Sequence, residues 1–259
     1  MPNLLVLLPC YNEEQALPAL LEQLAAVRDQ LQSEWSVSVL VVDDGSSDGT
    51  AACAEAGGAE LPVQLVRHGK NRGLGAALRT GIEHFLEWAG DSDSRAALAV
   101  MDADGTHPPP LLPLMLGRLE GGDGLEPCDV VIASRYAPGG EEHGLPLLRW
   151  LYSRLASLAL RMVARTAGVR DYTCGYRLYR AGPLREAHRH WGTELVTENS
   201  FVCMAELLVK LGRRGGRIGE VPLRLHYEFK GGPSKMNVAA TIRRYVVLAW
   251  RILFSRSWR

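Results

Sequence analysis

Asp102 and Asp104 stand one residue apart at the end of the apolar run Ala99-Val100-Met101. Two carboxylates so placed repel each other. A hard divalent cation such as Mg²⁺ or Mn²⁺ relieves that repulsion, because such ions take oxygen ligands and commonly only one or two protein carboxylates. If Val100 and Met101 close a buried strand, the pair lies at its carboxyl end, where open α/β sheets hold their ligands. A solvated turn is the plainer account of D-x-D alone, so the rest of the chain must decide. Pro9-Cys10-Tyr11-Asn12-Glu13 follows the apolar residues 4–8, Asp43-Asp44-Gly45-Ser46 follows 37–42, and Ser134-Arg135-Tyr136 follows 130–133. Tyr11 can pack on a base, and Glu13 with Asp43 or Asp44 can accept hydrogen bonds from base or ribose groups. Arg135 offers a planar fork to a diphosphate. Each cluster has a turn-and-cap account of its own, but four at successive strand tips point to one cleft.

The elements needed to place those tips are legible as alternating patterns. Residues 4–8, 37–42, 63–66, 97–101 and 130–133 read as strands. Residues 16–31, 48–56, 74–88 and 111–119 read as helices. Strand and helix alternating at this spacing imply right-handed β-α-β crossovers and a Rossmann-like, mainly parallel sheet flanked by helices. The second half is different in texture. Leu148, Leu151, Leu155, Leu158 and Met162 mark one helical face, with Arg154, Arg161 and Arg165 on another. Further helices are expected over 200–211 and 238–254, and a strand over 218–225. The last helix carries Arg243, Arg244 and Arg251 with no acid. Basic amphipathic helices rich in Trp and Leu can lie in a lipid interface. On pattern alone a core-packing helix with a solvated arginine face is the preferred account.

A chain of 259 residues suits one α/β domain over 1–259. Its net charge of zero hides a division. Residues 1–134 hold 20 acids against 7 Lys/Arg, a net −13, while residues 135–259 hold 9 against 22, a net +13. The two halves are thus expected to meet different charged partners, the second favouring anions such as phosphates or an acidic membrane surface. Cys10, Cys53, Cys128, Cys174 and Cys203 are odd in number, widely spaced and without C-x-x-C, which suits reduced thiols rather than disulfides or a zinc site. Residues 4–8 are too short and lack the basic flank of a signal peptide. The late apolar run 245–250 is far below the ~20 residues of a membrane span.

The order of motifs resembles the family 2 glycosyltransferases of GT-A fold, and in particular the dolichol-phosphate (polyprenyl-phosphate) mannosyltransferase branch. The resemblance rests on PCYNE (9–13), VVDDGSSDGT (41–50), GKNRGLGAALRTGI (69–82), MDADGTHPP (101–109) and ASRY (133–136). DYTCGYRLYR (171–180), Glu206, GEVPL (219–223) and GGPSKM (231–236) point to the branch. It implies that Pro9, Tyr11, Glu13, Asp43, Asp44 and Ala103 line the nucleotide-sugar pocket, and that Asp102 and Asp104 hold Mg²⁺ or Mn²⁺ on the donor diphosphate. Arg135 and Lys235 would contact the donor phosphates. Arg149 and Ser153, one helical turn apart, match positions expected to bind the acceptor phosphate. Asp104, Arg135 and Arg149 are the residues expected to act directly in catalysis, whereas Glu206 and Asp171 are expected to be structural.

The activity so implied is inverting transfer of a hexose, by preference mannose from GDP-mannose, to a polyprenyl phosphate. The protein would sit peripherally at the cytoplasmic face of a membrane, with a membrane-protein partner possible and no nucleic-acid partner. The alternatives are a UDP-sugar donor, a polysaccharide or soluble acceptor, and a non-catalytic nucleotide- or lipid-phosphate-binding subunit. The chain departs from the branch at Glu228-Phe229-Lys230, where an Arg is usual, and Lys230 lacks the bidentate fork. Thr106 stands where a third polar metal contact is sometimes found. Thr197-Glu198-Asn199 resembles an acidic motif that supplies a base in polysaccharide-making relatives, yet Asn199 cannot be a base. An ionised phosphate acceptor needs none, whereas a sugar hydroxyl would.

Overall fold

The computed structural model describes the chain except residues 58–60, 91–92, 123, 145–146, 228–237, 256–257 and 259, and the side chains at 148, 149, 238 and 239. The elements run β1 (Asn3–Cys10), α1 (Leu17–Leu31), β2 (Ser36–Asp43), α2 (Thr50–Ala56), β3 (Val63–Arg67), α3 (Leu74–Ala89), β4 (Ala97–Val100), α4 (Leu112–Glu120) and β5 (Val130–Ser134). There follow β6 (Glu141–His143), α5 (Leu147–Ala164), β7 (Arg177–Arg180), α6 (Ala181–Trp191), α7 (Val202–Arg213), β8 (Ile218–Pro222), β9 (Arg224–His226) and α8 (Val238–Phe254). Among the described residues the main sheet has the order β3-β2-β1-β4-β7-β5-β8, and β6 pairs with β9 in a small second sheet.

Leu4 to Leu8 are wholly buried, as a central strand covered on both faces requires. Neighbours pair in parallel from β3 through β2 and β1 to β4, and again between β5 and β8. The exception is β7, antiparallel to both β4 and β5. Its reversed direction brings the residues preceding it, 171–176, to the edge where the parallel strands end. Arg177, fully buried, donates to the carbonyls of Met204 and Tyr172, which ties α7 and that loop to the sheet.

Three features differ from the sequence reading. β7 and α6 were not expected, because Arg177-Leu178-Tyr179-Arg180 reads as polar at both ends and Gly182-Pro183 reads as a break. Proline is nonetheless tolerated in a first helical turn. The strand expected over 218–225 divides at Leu223. Its N–H donates to the Ser134 carbonyl at 3.0 Å and its carbonyl accepts from Glu141 N–H at 2.9 Å, so β9 leaves the main sheet for β6. Finally, the apolar face of α5 does not pack in the core. Leu151, Leu155, Leu158 and Met162 are exposed, as are Val246, Trp250, Leu253 and Phe254 of the neighbouring α8.

Candidate active site

The tips of β1 and β2 are laced together by short polar bonds. Asn12, with φ of +55°, gives its N–H to Ser46 Oγ at 2.9 Å and accepts Ser47 N–H at 2.9 Å, and Glu13 N–H reaches Thr50 Oγ1 at 2.8 Å. This holds Tyr11 in the open, while Pro9 stays half-buried in β1. Asp43 is buried, with one oxygen accepting Ser46 N–H at 2.9 Å and the other 3.5 Å from Arg67 Nε. Asp44 faces the other way. Its oxygens take the N–H groups of Arg72 and Gly73 and meet His68 Nδ1 at 2.6 Å. Asp44 therefore anchors the loop that starts α3, and Asp43 is the one placed beside the β1 tip. Gly73 and Gly75 let that helix start press on the 198–199 backbone, since a side chain at either would overlap the Glu198 or Asn199 carbonyl.

Asp102 and Asp104 lie at the end of β4, as a carboxylate pair held by its own loop. Asp102 N–H donates to His107 Nδ1 at 2.8 Å, which leaves the neutral ring's proton on Nε2, 3.9 Å from Asp102 Oδ2. The His107 ring stacks on Tyr176 with centroids 5.1 Å apart. Asp104 is buried, and its Oδ1 accepts both the N–H (3.2 Å) and the hydroxyl (2.6 Å) of Thr106. Thr106 thus orients a carboxylate. The Asp102 side chain remains 36% exposed. At Gly175 a Cβ would stand 3.4 Å from Asp102 Oδ1 and crowd the space beside that carboxylate. Hard oxygen donors, one exposed and one oriented, with room beside them, fit Mg²⁺ or Mn²⁺ whose remaining ligands come from a diphosphate.

Arg135, at the end of β5, is held by a buried network. Nε and one terminal nitrogen form a fork on Asp171, each at 2.7 Å, the same nitrogen reaches Thr173 Oγ1 at 2.5 Å, and the other terminal nitrogen reaches Glu142 at 3.1 Å. Burial alone would drive both charges out, but each holds the other. The Arg135 guanidinium stays far above its ordinary pKa and the Asp171 carboxyl below the usual range. Burial pushes Glu142 up, only partly offset by Arg135, and its second oxygen has no partner among the described residues. Thr173 Oγ1 also lies 3.0 Å from Ser153 Oγ, which accepts the Tyr136 hydroxyl at 3.1 Å. Ser153 on α5 is thereby brought to Arg135, although α5 is remote from β5 in sequence. Arg149 lies one turn before it on the same helix with its side chain outside the described residues, and Lys230 and Lys235 lie outside them altogether.

Glu206, fully buried on α7, accepts the N–H groups of Thr197 and Glu198 at 2.8 Å each and pairs with Lys210 at 2.7 Å. Glu198 is gripped by Arg244 and Arg251 of α8 at 3.0 and 3.2 Å, and Asn199 Oδ1 accepts from Arg79 at 2.8 Å. His107 and Thr173 were not singled out from sequence. Both sit inside quoted motifs, but their roles depend on contacts that only the fold closes. All five cysteines are free thiols.

The family described as Glycosyl transferase family 2 matches residues 5–187. The chain is 35% identical over 236 residues to an undecaprenyl-phosphate mannosyltransferase of Micrococcus luteus, covering 91% of this chain and 88% of that protein. It is 32% identical to a polyprenol monophosphomannose synthase of Mycolicibacterium smegmatis, covering 96% and 86%, and 29% identical to a dolichol-phosphate mannosyltransferase of Pyrococcus furiosus, covering 96% and 63%. In fold it is similar to glucosyl-3-phosphoglycerate synthase from Mycobacterium tuberculosis, solved with Mn²⁺, UDP and phosphoglyceric acid. The TM-score is 0.69 at 19% identity, over 98% of this chain and 80% of that one.

Proposed function

The chain belongs to glycosyl transferase family 2, and from that premise we propose that it transfers mannose from GDP-mannose to a polyprenyl phosphate at the cytoplasmic face of a membrane. One observation carries the choice of acceptor. Glu198, within the Thr197-Glu198-Asn199 stretch that resembles the base-supplying motif, is paired with Arg244 and Arg251, and its neighbour Asn199 has no basic oxygen to offer. An acceptor that is already an ionised phosphate needs no base, and a sugar hydroxyl does. The three relatives named above carry names of the same transfer to lipid phosphates.

In this reading Pro9, Tyr11, Glu13 and Asp43 line the pocket for base and ribose, Asp44 braces its floor, and Ala103 lies between the two metal-binding carboxylates. Asp102 and Asp104 would hold Mg²⁺ or Mn²⁺, which would supply positive charge against that growing on the departing nucleoside diphosphate. Lys235, outside the described residues, is assigned to the donor phosphates by the GGPSKM motif in which it stands. Arg149 and Ser153 receive the acceptor phosphate from α5 and aim one of its oxygens at the anomeric carbon. That oxygen bonds to carbon as the bond to the diphosphate breaks on the opposite side, with inversion. Arg135 contributes positive potential between the two substrates. Four of its five N–H donors are already taken, so it acts chiefly by fixing Thr173 and Asp171.

The exposed apolar faces of α5 and α8, bordered by Arg154, Arg161 and Arg243, suit insertion into a lipid interface beside the acceptor site. Among the described residues no helix is long and apolar enough to cross a membrane. The test is a panel of radiolabelled sugar nucleotides given to the purified chain with Mg²⁺ and a polyprenyl phosphate. Label from GDP-mannose is expected in the organic phase. Label from UDP-glucose instead would reassign the donor, and label that stays aqueous for every donor would sink the lipid acceptor.

A further inference from the structure

Three hydroxyls connect Tyr136, Ser153 and Thr173 to Asp171, and each has a single hydrogen to give. The ends of this chain are fixed. Arg135 can only donate, and it donates into Thr173 Oγ1, while the ionised Asp171 can only accept, and takes the Thr173 hydrogen at 3.2 Å. The 3.0 Å contact between Ser153 and Thr173 is then made by the hydrogen of Ser153, and Ser153 Oγ is left to accept from Tyr136. Every hydrogen therefore runs from Tyr136 through Ser153 and Thr173 toward Asp171. Tyr136 is held in that role because its ring lies between two guanidinium groups, with Arg135 and Arg154 each 5.1 Å from its centre. Burial pushes its hydroxyl up to about 12, so it keeps its proton.

We propose that Tyr136 and Thr173 are positioning residues that keep Ser153 a hydrogen-bond donor and so set the preference of the acceptor site for a phosphate monoester over an alcohol. The inference rests on the reading that α5 receives the acceptor phosphate. When a phosphate oxygen arrives, the Ser153 hydrogen can turn to it without leaving a buried group unpaired, since Thr173 keeps Arg135 and Asp171. Donation from Tyr136 polarises the Ser153 O–H, and the resulting bond to a charged oxygen is about twice as strong as a neutral one. An arriving alcohol gains less from that polarisation. It would gain more if the Tyr136 hydroxyl were gone, because the freed Ser153 lone pair could accept the alcohol's hydrogen.

Calorimetric titration of the full chain with a short-chain prenyl phosphate, and separately with the corresponding prenol, reads this preference without turnover. The wild-type chain should bind the phosphate more tightly. Y136F and T173V should each lower the phosphate-to-alcohol ratio about fivefold, the scale of one net hydrogen bond. T173S should restore the ratio, and GDP affinity should be unchanged in Y136F, which a general loss of structure would not allow. An unchanged ratio in Y136F and T173V, or no phosphate preference in the wild type, overturns the positioning role. Label transfer to polyprenyl phosphate by the wild type judges the functional reading separately. Absence of transfer with the ratio shift intact overturns only that reading, and transfer with an unchanged ratio overturns only the role of Tyr136 and Thr173.

Discussion

The side of the site proposed for the donor and the side proposed for the acceptor are built by opposite means. Around β1, β2 and β4, carboxylates are held by N–H groups and hydroxyls a few residues away, as Thr106 holds Asp104 and Ser46 holds Asp43. Around β5, β7 and α5, the same task falls to an ion pair between Arg135 and Asp171, 36 residues apart, extended through Thr173 to Ser153. The first arrangement leaves Asp102 partly in solvent, as a site that takes a metal and a diphosphate would require. The second is closed before any substrate arrives. Loops that hold themselves can present a charge that is incomplete, whereas a buried charge pair is costly to leave with one partner missing.

Four substitutions probe that contrast and the outer faces of α5 and α8. The largest effect is expected from Asp104→Asn, which keeps the shape of the loop and removes a metal ligand. We expect kcat for mannosyl transfer to fall roughly 10²- to 10³-fold, the usual scale for losing one charge-stabilising group. The thermal midpoint should hardly change, as scanning calorimetry can check. A large drop in stability would make the donor side as interdependent as the acceptor side, and unchanged metal-dependent turnover would remove Asp104 from the metal site.

Next is Asp171→Asn, which removes the carboxylate that holds two sides of the buried Arg135 fork, leaves Glu142 as its counter-charge, and should cost up to about 3–5 kcal/mol in urea unfolding. The folded Asp171 carboxyl titrates below the unfolded value of about 3.9. Its contribution is therefore present at neutral pH and lost as the pH falls through that depressed value. The variant's stability should be flatter with pH below about 4 than the wild type's. A parallel acid limb would mean that other carboxylates dominate there. The smallest effect is expected from Leu155→Ser or Trp250→Ser, which should weaken sedimentation with anionic vesicles about tenfold, given ~1.5–3 kcal/mol for burying such a side chain fully. Wild-type binding should also weaken with salt, because surface attraction is screened beyond a Debye length of roughly 8 Å. If the serine variants bind vesicles as the wild type does, the apolar faces of α5 and α8 have another use.

The same contrast explains what could be read from the sequence. The Asp102/Asp104 pair, the cluster at Asp43 and the strands leading to them were visible because the groups that hold them lie within the same few residues. The division of Asp43 and Asp44 between two loops was not, since it depends on Arg72 and Gly73 folding back to Asp44. Arg135 reads as a free phosphate clamp at a strand tip. Only the antiparallel insertion of β7 delivers Asp171 and Thr173 to it, and a strand with arginine at both ends gives no alternating pattern to announce itself. Periodicity places Leu151, Leu155 and Leu158 of α5 on one face of the helix, and that face is exposed rather than packed in the core. Spacing reports which residues share a side, and has no term for what that side meets.

The reversed strand between β4 and β5 also bears on how this enzyme could change over generations. Val100 lies opposite Arg177 and Ile132 opposite the same residue, so the donor loop after β4 and the acceptor loop before β7 leave the sheet from adjacent rungs of one ladder. Adjacent strands stay about 4.8 Å apart whatever the loops above them do. The spacing of these two loops is therefore set by the sheet, and a lineage can revise either loop while the distance between their bases is inherited.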